Sequence, residues 1–257
     1  MVQNSYSAKI CLFADKDVGK ETLAKSNFVN HPFNYYKMTT GVNLALKEVE
    51  IYGKIIKLQF WIISDDKERF QHIWNSYIRG SNGAILMYDI TNVKTLNRVS
   101  EWCRMIKNYR EDIPILLVGN KLDLEEKREV SEEYVEKFKE NNDISSSMEI
   151  SVRTGENLEQ MVLNLTHRIY FIWIIEDAIK KKKEKFEGKR KLKKQKKLWR
   201  KNYFGETESF EDYLDKQKEI ILNLSEYKNE ILNAKDLPEI SKVWEKVKKS
   251  LNPDIKA

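Results

Sequence analysis

The sequence has few cysteines and no long apolar run. Cys11 and Cys103 fall inside a predicted strand and a predicted helix, which is typical of buried thiols in a reducing cytoplasm. The longest apolar stretch, 169–175, is far shorter than the roughly 20 residues that a membrane-spanning helix needs. No basic start precedes an apolar run, and the final "NPDIKA" has no cysteine near it. We therefore expect a cytoplasmic protein with neither a signal peptide nor a lipid anchor.

Histidine is also scarce, which removes several kinds of chemistry. The three histidines, His31, His72 and His167, are scattered along the chain. No Cys/His spacing suits a zinc site, and no Ser–His–Asp arrangement can be argued from this order of residues. The sequence therefore predicts neither a zinc centre nor a serine hydrolase.

Positive charge is concentrated in one segment. Residues 180–201 contain 14 Lys or Arg and two Glu, a local charge of +12 in a chain whose net charge is +6. The rest of the chain is therefore mildly acidic, at −6. Three interpretations stay open, in descending order: a solvated helical spacer, a segment on an anionic membrane surface, and a nucleic-acid contact.

Apolar runs and helical patterns alternate through the first two thirds of the chain. Strands are predicted at 9–14, 45–53, 54–63, 83–90 and 113–120. Helices are predicted at 19–28, 93–109 and 131–141, and a long one begins at Glu156. The second and third strands form a hairpin with its turn at Gly53–Lys54. This alternation predicts an α/β domain with a mostly parallel sheet over residues 1–179.

The last third of the chain has a different pattern. Apolar residues recur at helical spacing from Phe210 to Ile231, and Pro238 opens a further helical run to Leu251. The sequence therefore predicts a second region, 180–257, in which a Lys-rich helix is followed by a helical hairpin.

Five separated segments carry a resemblance to a known family. They are "FADKDVGKET" (13–22), "YKMTTGV" (36–42), "SYIRGSNGAILMYDITN" (76–92), "GNKLDL" (119–124) and "EISVRTGEN" (149–157). In this order they resemble the Ras superfamily of small GTPases, most closely its Rab-like branch, over about residues 8–179. The resemblance implies the P-loop NTPase small-GTPase fold, with a mostly parallel six-stranded sheet flanked by helices. It also implies GTP or GDP as the ligand, and protein effectors or regulators as partners.

The guanine-binding motifs of the family are matched in full. The implied base-binding residues are Asn120, Lys121, Asp123, Ser151, Val152 and Arg153. In the family, the carboxylate at Asp123 accepts both ring N–H groups of guanine, and the amide at Val152 meets the guanine oxygen. Arg153 replaces the usual lysine, and its stem can still lie against the ring. A loop of ordinary turn residues is the alternative interpretation.

The phosphate-binding motif is altered. The pattern G-x-x-x-x-G-K-[ST] wraps phosphates in backbone N–H groups, and its hydroxyl binds magnesium. The implied phosphate-binding residues here are Asp17, Val18, Gly19, Lys20, Glu21 and Thr22, after Ala14 in place of the first glycine. Glu21 replaces the hydroxyl ligand. It is a candidate Mg²⁺ ligand, but its charge and length do not match the family geometry, so a magnesium requirement stays open.

The two switch segments also depart from the family. Thr39 is retained as the second candidate metal ligand. In "WIISDDKERF" (61–70), Ile62 stands where the family has its magnesium-supporting Asp, and Lys67 stands at the position of the water-orienting Gln. Lysine cannot accept a proton from that water, and no residue is a convincing catalytic group. Asp65 and Asp66 are the nearest substitutes for the lost carboxylate, although solvated loop acids are the simpler interpretation.

Three positions match the Rab surface that faces effectors. Trp61 and Tyr77 match two of its three aromatic residues, and Leu44 replaces the third. Ordinary packing explains these residues equally well. Three functions follow from the whole sequence: a guanine-nucleotide-binding protein with weak or absent hydrolysis that acts as a scaffold or slow switch, an active GTPase with a remodelled Mg²⁺ site, or a nucleotide-free interaction protein that docks partners through its tail.

Overall fold

The strands of the protein form one twisted sheet. The computed structural model describes residues 6–26, 34–38, 41–195 and 210–251. The strands are β1 (Tyr6–Ala14), β2 (Asn34–Tyr36), β3 (Val42–Ile51), β4 (Lys54–Ile63), β5 (Gly83–Asp89), β6 (Ile115–Asn120) and β7 (Ser146–Glu149). Their order across the sheet is β2-β3-β4-β1-β5-β6-β7.

Parallel pairing dominates this sheet. β1 pairs in parallel with both β4 and β5, and the parallel pairs β5–β6 and β6–β7 continue to one edge. Only β2–β3 and β3–β4 are antiparallel among the strands described. The predicted small-GTPase fold is confirmed. The three-residue β2 adds a seventh strand at the edge, because a run this short carries no periodic signal in the sequence.

The hairpin between β3 and β4 has its turn one residue earlier than predicted. Ile51 pairs with Lys54, so the loop consists of Tyr52 and Gly53. Both have positive φ, 49° and 69°, as a two-residue turn of type I′ requires. A tyrosine in the first of these positions is unusual, which is why the sequence placed the turn on Gly53–Lys54.

Helices connect the strands. They are α1 (Lys20–Ala24), α2 (Lys67–Ile78), α3 (Val93–Tyr109), α4 (Glu132–Asn142), α5 (Leu158–Gln195), α6 (Phe210–Asn233) and α7 (Leu237–Leu251), with a 3₁₀ helix at Leu122–Lys127. The core beside β1 is aromatic: the ring of Phe13 lies 5.9 Å from that of Trp102 and 6.1 Å from that of Trp74. β1, β5 and β6 end at neighbouring positions, so the residues that follow them meet at one edge of the sheet.

The chain divides into two compact units. The described residues up to Ile169, together with Leu232–Leu237, form one unit, and those of Tyr170–Ile231 and from Pro238 onward form the other. The second unit is helical, with the ring of Phe171 stacked on that of Trp244 at 4.4 Å. The predicted helical extension is confirmed. The boundary after residue 179 stays a prediction, because α5 runs unbroken through it. Among the described residues, no helix is long and apolar enough to cross a bilayer.

A buried arginine holds the link between α6 and α7 within the first unit. Arg168, on α5, is 1% exposed. Its guanidinium donates to the carbonyl of Ala234 at 2.5 Å, to Ser146 Oγ at 3.0 Å and to Asn164 Oδ1 at 2.8 Å. Ser145 Oγ donates to the carbonyl of Leu232 at 2.6 Å. The linker is therefore fixed to α5 and to the start of β7 by charged and neutral hydrogen bonds.

Arg168→Met is expected to lower the free energy of unfolding by about 3 kcal/mol, because it leaves buried acceptors without their charged donor. Urea denaturation followed by circular dichroism measures this change. The control is Arg104→Met, which removes an exposed arginine of α3 and is expected to change stability by less than about 0.5 kcal/mol. Equal effects of the two substitutions would contradict the role of Arg168.

Candidate functional site

The phosphate loop (residues 14–21) joins β1 to α1 and is shaped by two residues with positive φ. Asp17 has φ 60° and Gly19 has φ 109°. A Cβ atom at Gly19 would lie 2.5 Å from Asn120 Nδ2, so only glycine fits this position. That same Nδ2 donates to the carbonyl of Val18 at 2.6 Å. The loop is thus held against the end of β6.

Lys20 points into the structure and has a carboxylate partner that the sequence did not indicate. Its side chain is 2% exposed, and its Nζ lies 2.5 Å from Asp65 Oδ1. It also donates to the backbone carbonyl of Asp15 at 3.3 Å. Glu21 Oε1 is 3.8 Å from the same Nζ, and its side chain is 47% exposed. The phosphate-binding lysine is therefore neutralised from within the chain.

A second ion pair fixes the start of the phosphate loop. Asp15 Oδ1 accepts from the Arg98 guanidinium of α3 at 2.6 Å and from the backbone N–H of Lys16 at 2.8 Å. This contact spans 83 residues and had no sequence signal. Thr22 lies in α1 with its side chain exposed.

The second switch segment (residues 61–70) leaves β4 and enters α2. Ile62 is 1% exposed and cannot bind a cation. The N–H of Ser64 donates to the carbonyl of Gly41 at 2.9 Å, and Asp66 caps α2 by accepting from the N–H of Arg69 at 3.1 Å. Lys67 begins α2, but its side chain lies outside the described residues, as does Thr39.

The described residues do not fit the magnesium site of the family. Asp65 is paired with Lys20, Asp66 caps a helix, and Glu21 faces solvent beside the same lysine. Among the described residues, no group of three His, Cys, Asp or Glu side chains is arranged to hold a metal. The prediction that Glu21 binds Mg²⁺ stays a prediction, and Asp65 is an ion-pair partner rather than a solvated loop acid.

The base end of the site is well ordered by hydrogen bonds. Asn120 is buried, and its Oδ1 accepts from the N–H of Val152 at 3.0 Å. Ser151 Oγ donates to Asp123 Oδ1 at 2.5 Å. Asn120 therefore connects the phosphate loop to the 151–153 loop, and Ser151 orients the carboxylate of Asp123.

The carboxylate of Asp123 is also engaged by a cation. Arg153 Nε lies 2.7 Å from Asp123 Oδ2, and the arginine side chain is 71% exposed. Burial opposes ionisation of Asp123, but the Ser151 hydrogen bond and the Arg153 charge outweigh it and hold its pKa below the ordinary value. The carboxylate is therefore ionised at neutral pH and can accept hydrogen bonds once Arg153 moves aside.

Lys121 is held by the end of β5. It adopts φ 74°, and its Nζ lies 2.6 Å from Asp89 Oδ2. Asp89 is buried and also accepts from the N–H of Thr91 at 2.9 Å. The lysine stem is thus fixed beside the base end, a contact that sequence spacing could not identify.

A cavity of about 320 Å³ lies beside the phosphate loop. Its walls come from α1, the first switch segment (residues 36–42) and the second switch segment. They include Glu21, Lys37, Met38, Ile62, Ser64 and Arg69. The structure thus brings the predicted metal ligand Glu21 next to both switch segments.

The three positions that match the Rab effector surface are also brought together. Leu44 and Trp61 are directly opposite each other on β3 and β4, and the rings of Trp61 and Tyr77 lie 6.1 Å apart. All three are half-buried. Lys9 Nζ lies 3.9 Å from the centre of the Trp61 ring, close enough for a cation–π contact.

Comparison with known proteins agrees with this geometry. The model of the Ras family matches residues 9–171. Ras-related protein Rab-4 of Dictyostelium discoideum is 37% identical over 166 residues, which cover 64% of this chain and 80% of that protein. Human Ras-related protein Rab-30 is 39% identical over 163 residues, which cover 63% and 79%. The chain therefore belongs to the Ras family of GTP-binding small GTPases and is similar to its Rab members.

Proposed function

We propose that this protein binds guanine nucleotides, hydrolyses GTP weakly or not at all, and acts as a scaffold or slow switch in signalling or membrane traffic. One observation carries the proposal. The base end is held together by Asn120 and Ser151, whereas at the phosphate end the buried Ile62 replaces a carboxylate and Lys20 already has an internal partner.

The base end supports selective binding of guanine. Asp123 is ionised and oriented by Ser151, so its two oxygens can accept the two adjacent N–H groups that guanine presents. Adenine lacks that pair of donors. Recognition of this kind gives strong discrimination, because an analogue without the donors leaves the carboxylate unpaired.

The phosphate end supports slow hydrolysis. Hydrolysis in this family needs a magnesium ion and a residue that orients the attacking water. The described residues do not fit the usual metal site, and the sequence has Lys67 at the water-orienting position. Neither function has an evident replacement in the described part of the chain.

Isothermal titration with GTP, GDP and ATP, with and without Mg²⁺, tests the proposal on protein stripped of nucleotide. Guanine nucleotides are expected to bind at least about 100-fold more tightly than ATP. Equal binding of all three, or none, would refute a guanine site. Nucleotide analysis of the untreated purified protein gives an independent check, with guanine nucleotide expected to co-purify.

Restoring the water-orienting side chain alone is expected to have little effect. Lys67→Gln should change the rate of phosphate release by less than about threefold, because a positioned water contributes only when the metal site is also formed. Single-turnover release of phosphate from GTP measures this rate. A rise of about tenfold or more would show that Lys67 is the main block and would favour an active, remodelled GTPase.

A second function, a nucleotide-free interaction protein, is favoured by the internal ion pairs. Arg153 occupies the base-binding carboxylate, and Asp65 occupies the phosphate-binding lysine. Such a protein would purify without guanine nucleotide. Asp123→Ala would then leave partner binding unchanged in a pull-down from lysate, whereas our first proposal predicts that this substitution changes it.

Partners are proposed from two surfaces. The cluster of Leu44, Trp61 and Tyr77 supports contact with protein effectors or regulators, as the family resemblance implies. The basic segment 180–201 begins in α5, where Lys181 pairs with Asp177 at 2.7 Å; its side chains from residue 185 onward lie outside the described residues. A solvated spacer remains our first interpretation, a peripheral contact with anionic membrane the second, and nucleic acid the third. The protein is proposed to be cytoplasmic.

A further inference from the structure

The partner of Lys20 is held in place from both sides. Ser64, just before Asp65, is fixed to the backbone of Gly41 at 2.9 Å. Asp66, just after it, forms the cap of α2. The carboxylate of Asp65 is therefore delivered to Lys20 by a backbone that is hydrogen-bonded on either side, and the side chain is only 24% exposed.

The hydrogen-bonding capacity of Lys20 limits what else it can bind. An ammonium group has three N–H donors. One donates to Asp65 Oδ1 at 2.5 Å and another to the carbonyl of Asp15 at 3.3 Å. Among the described residues, no acceptor takes the third. A phosphate-loop lysine reaches both the β- and the γ-phosphate of a triphosphate, but this one has a single N–H left for a phosphate oxygen.

The charge around Lys20 points the same way. Its ammonium has one carboxylate at 2.5 Å and another, from Glu21, at 3.8 Å, so its charge is already compensated. Lys37 and Arg69 line the cavity beside Glu21, but neither pairs with Asp65 among the described residues. A third phosphate near Lys20 would meet the Asp65 charge, and like charges at such distances repel strongly outside bulk water.

We propose that the Asp65 carboxylate is a built-in substitute for the terminal phosphate of a nucleotide, so that the site selects guanosine diphosphate over guanosine triphosphate. The remaining N–H of Lys20 then serves the β-phosphate, and Asp65 fills the position beyond it. The inference rests on the proposed function, because it requires that guanine nucleotides bind at all.

Calorimetric titration of nucleotide-stripped full-length protein with GDP and with GTP, in Mg²⁺ and in EDTA, tests the inference. The wild-type protein is expected to bind GDP about 10- to 100-fold more tightly than GTP under both conditions. Asp65→Asn is expected to raise the affinity for GTP about tenfold and to change that for GDP by less than about threefold. The matched control is Glu68→Gln, which removes the same charge from an exposed position three residues further along the chain and should leave the ratio unchanged.

Each outcome decides between the two proposals. Equal wild-type affinities for GDP and GTP would overturn the role of Asp65 and leave guanine binding intact. An equal rise in both affinities in Asp65→Asn would also overturn it. If the wild-type protein binds neither nucleotide, both proposals fail. Should Asp65→Asn not fold, the wild-type ratio of the two affinities still decides, since it needs no variant.

Discussion

Replacing Asp123 with asparagine is expected to weaken GDP binding about 100-fold or more. The wild-type carboxylate is ionised and is oriented by Ser151, so it offers two acceptors to the two N–H donors of guanine. Asparagine keeps one acceptor and turns an NH₂ donor toward the second guanine donor. Two charge-assisted hydrogen bonds are lost, and two donors are left facing each other. Titration calorimetry with GDP measures the loss.

The same variant should gain a different ligand. Xanthine carries a carbonyl where guanine has its amino group, so xanthosine diphosphate presents an acceptor to the side-chain NH₂ group that the Asp123→Asn substitution introduces. Binding of xanthosine diphosphate by this variant would show that it is folded and that the pocket reads the base edge. GDP binding equal to that of the wild type would contradict the assignment of Asp123.

The ion pair between Asp123 and Arg153 allows a matched control. Arg153→Gln removes the cation that competes for Oδ2 but leaves the carboxylate in place. Because the arginine side chain is 71% exposed, its pair with Asp123 is weak and easily opened. GDP affinity in this variant is expected to stay within about threefold of the wild type. A loss as large as that of Asp123→Asn would mean that Arg153 itself contacts the nucleotide.

The fold could be predicted because its central strands carry an unambiguous signal. β5 and β6 are buried along their whole length, and continuous apolar runs are typical of strands covered on both faces. α3 begins and ends where its periodicity predicted. The turn after β3 was misplaced because a tyrosine with positive φ breaks the usual turn preferences.

The base end could be predicted, but the ion pairs that cross the site could not. Asn120 and Asp123 lie in a short motif whose residues are adjacent in sequence and in space. Lys20 and Asp65 are 45 residues apart, and Asp65 stands beside a second, solvated aspartate. From sequence alone, nothing distinguishes the aspartate that turns inward from the one that caps a helix.

The attachment of the α6–α7 linker shows the same limit. Arg168 follows an apolar helical pattern, and its charge suggests an exposed position at the end of the core. The structure instead buries it against backbone carbonyls of Leu232 and Ala234. Those acceptors belong to the main chain and leave no trace in the side-chain sequence, so a contact across 64 residues was not predictable.

Lys20→Met is expected to weaken GDP binding about 100-fold, because it removes the buried cation that meets phosphate and leaves Asp65 unneutralised nearby. The effect on stability without nucleotide should be smaller. Methionine suits a buried position, and Asp65 is 24% exposed, so its freed carboxylate can be hydrated. Calorimetric titration measures the first effect, and urea denaturation in EDTA measures the second.

Asp65→Asn should have the opposite balance. It leaves the ammonium of Lys20, only 2% exposed, without a charged partner, and is expected to lower the free energy of unfolding by about 3 kcal/mol. The double variant Lys20→Met, Asp65→Asn should then be about as stable as Lys20→Met alone, which gives a coupling energy of about 1 to 3 kcal/mol. A coupling near zero would mean that the pair contributes nothing to the nucleotide-free protein, and that a nucleotide displaces Asp65 without cost. A clear coupling would mean that nucleotide binding at Lys20 exchanges one ion pair for another, so its affinity is set by the difference between them.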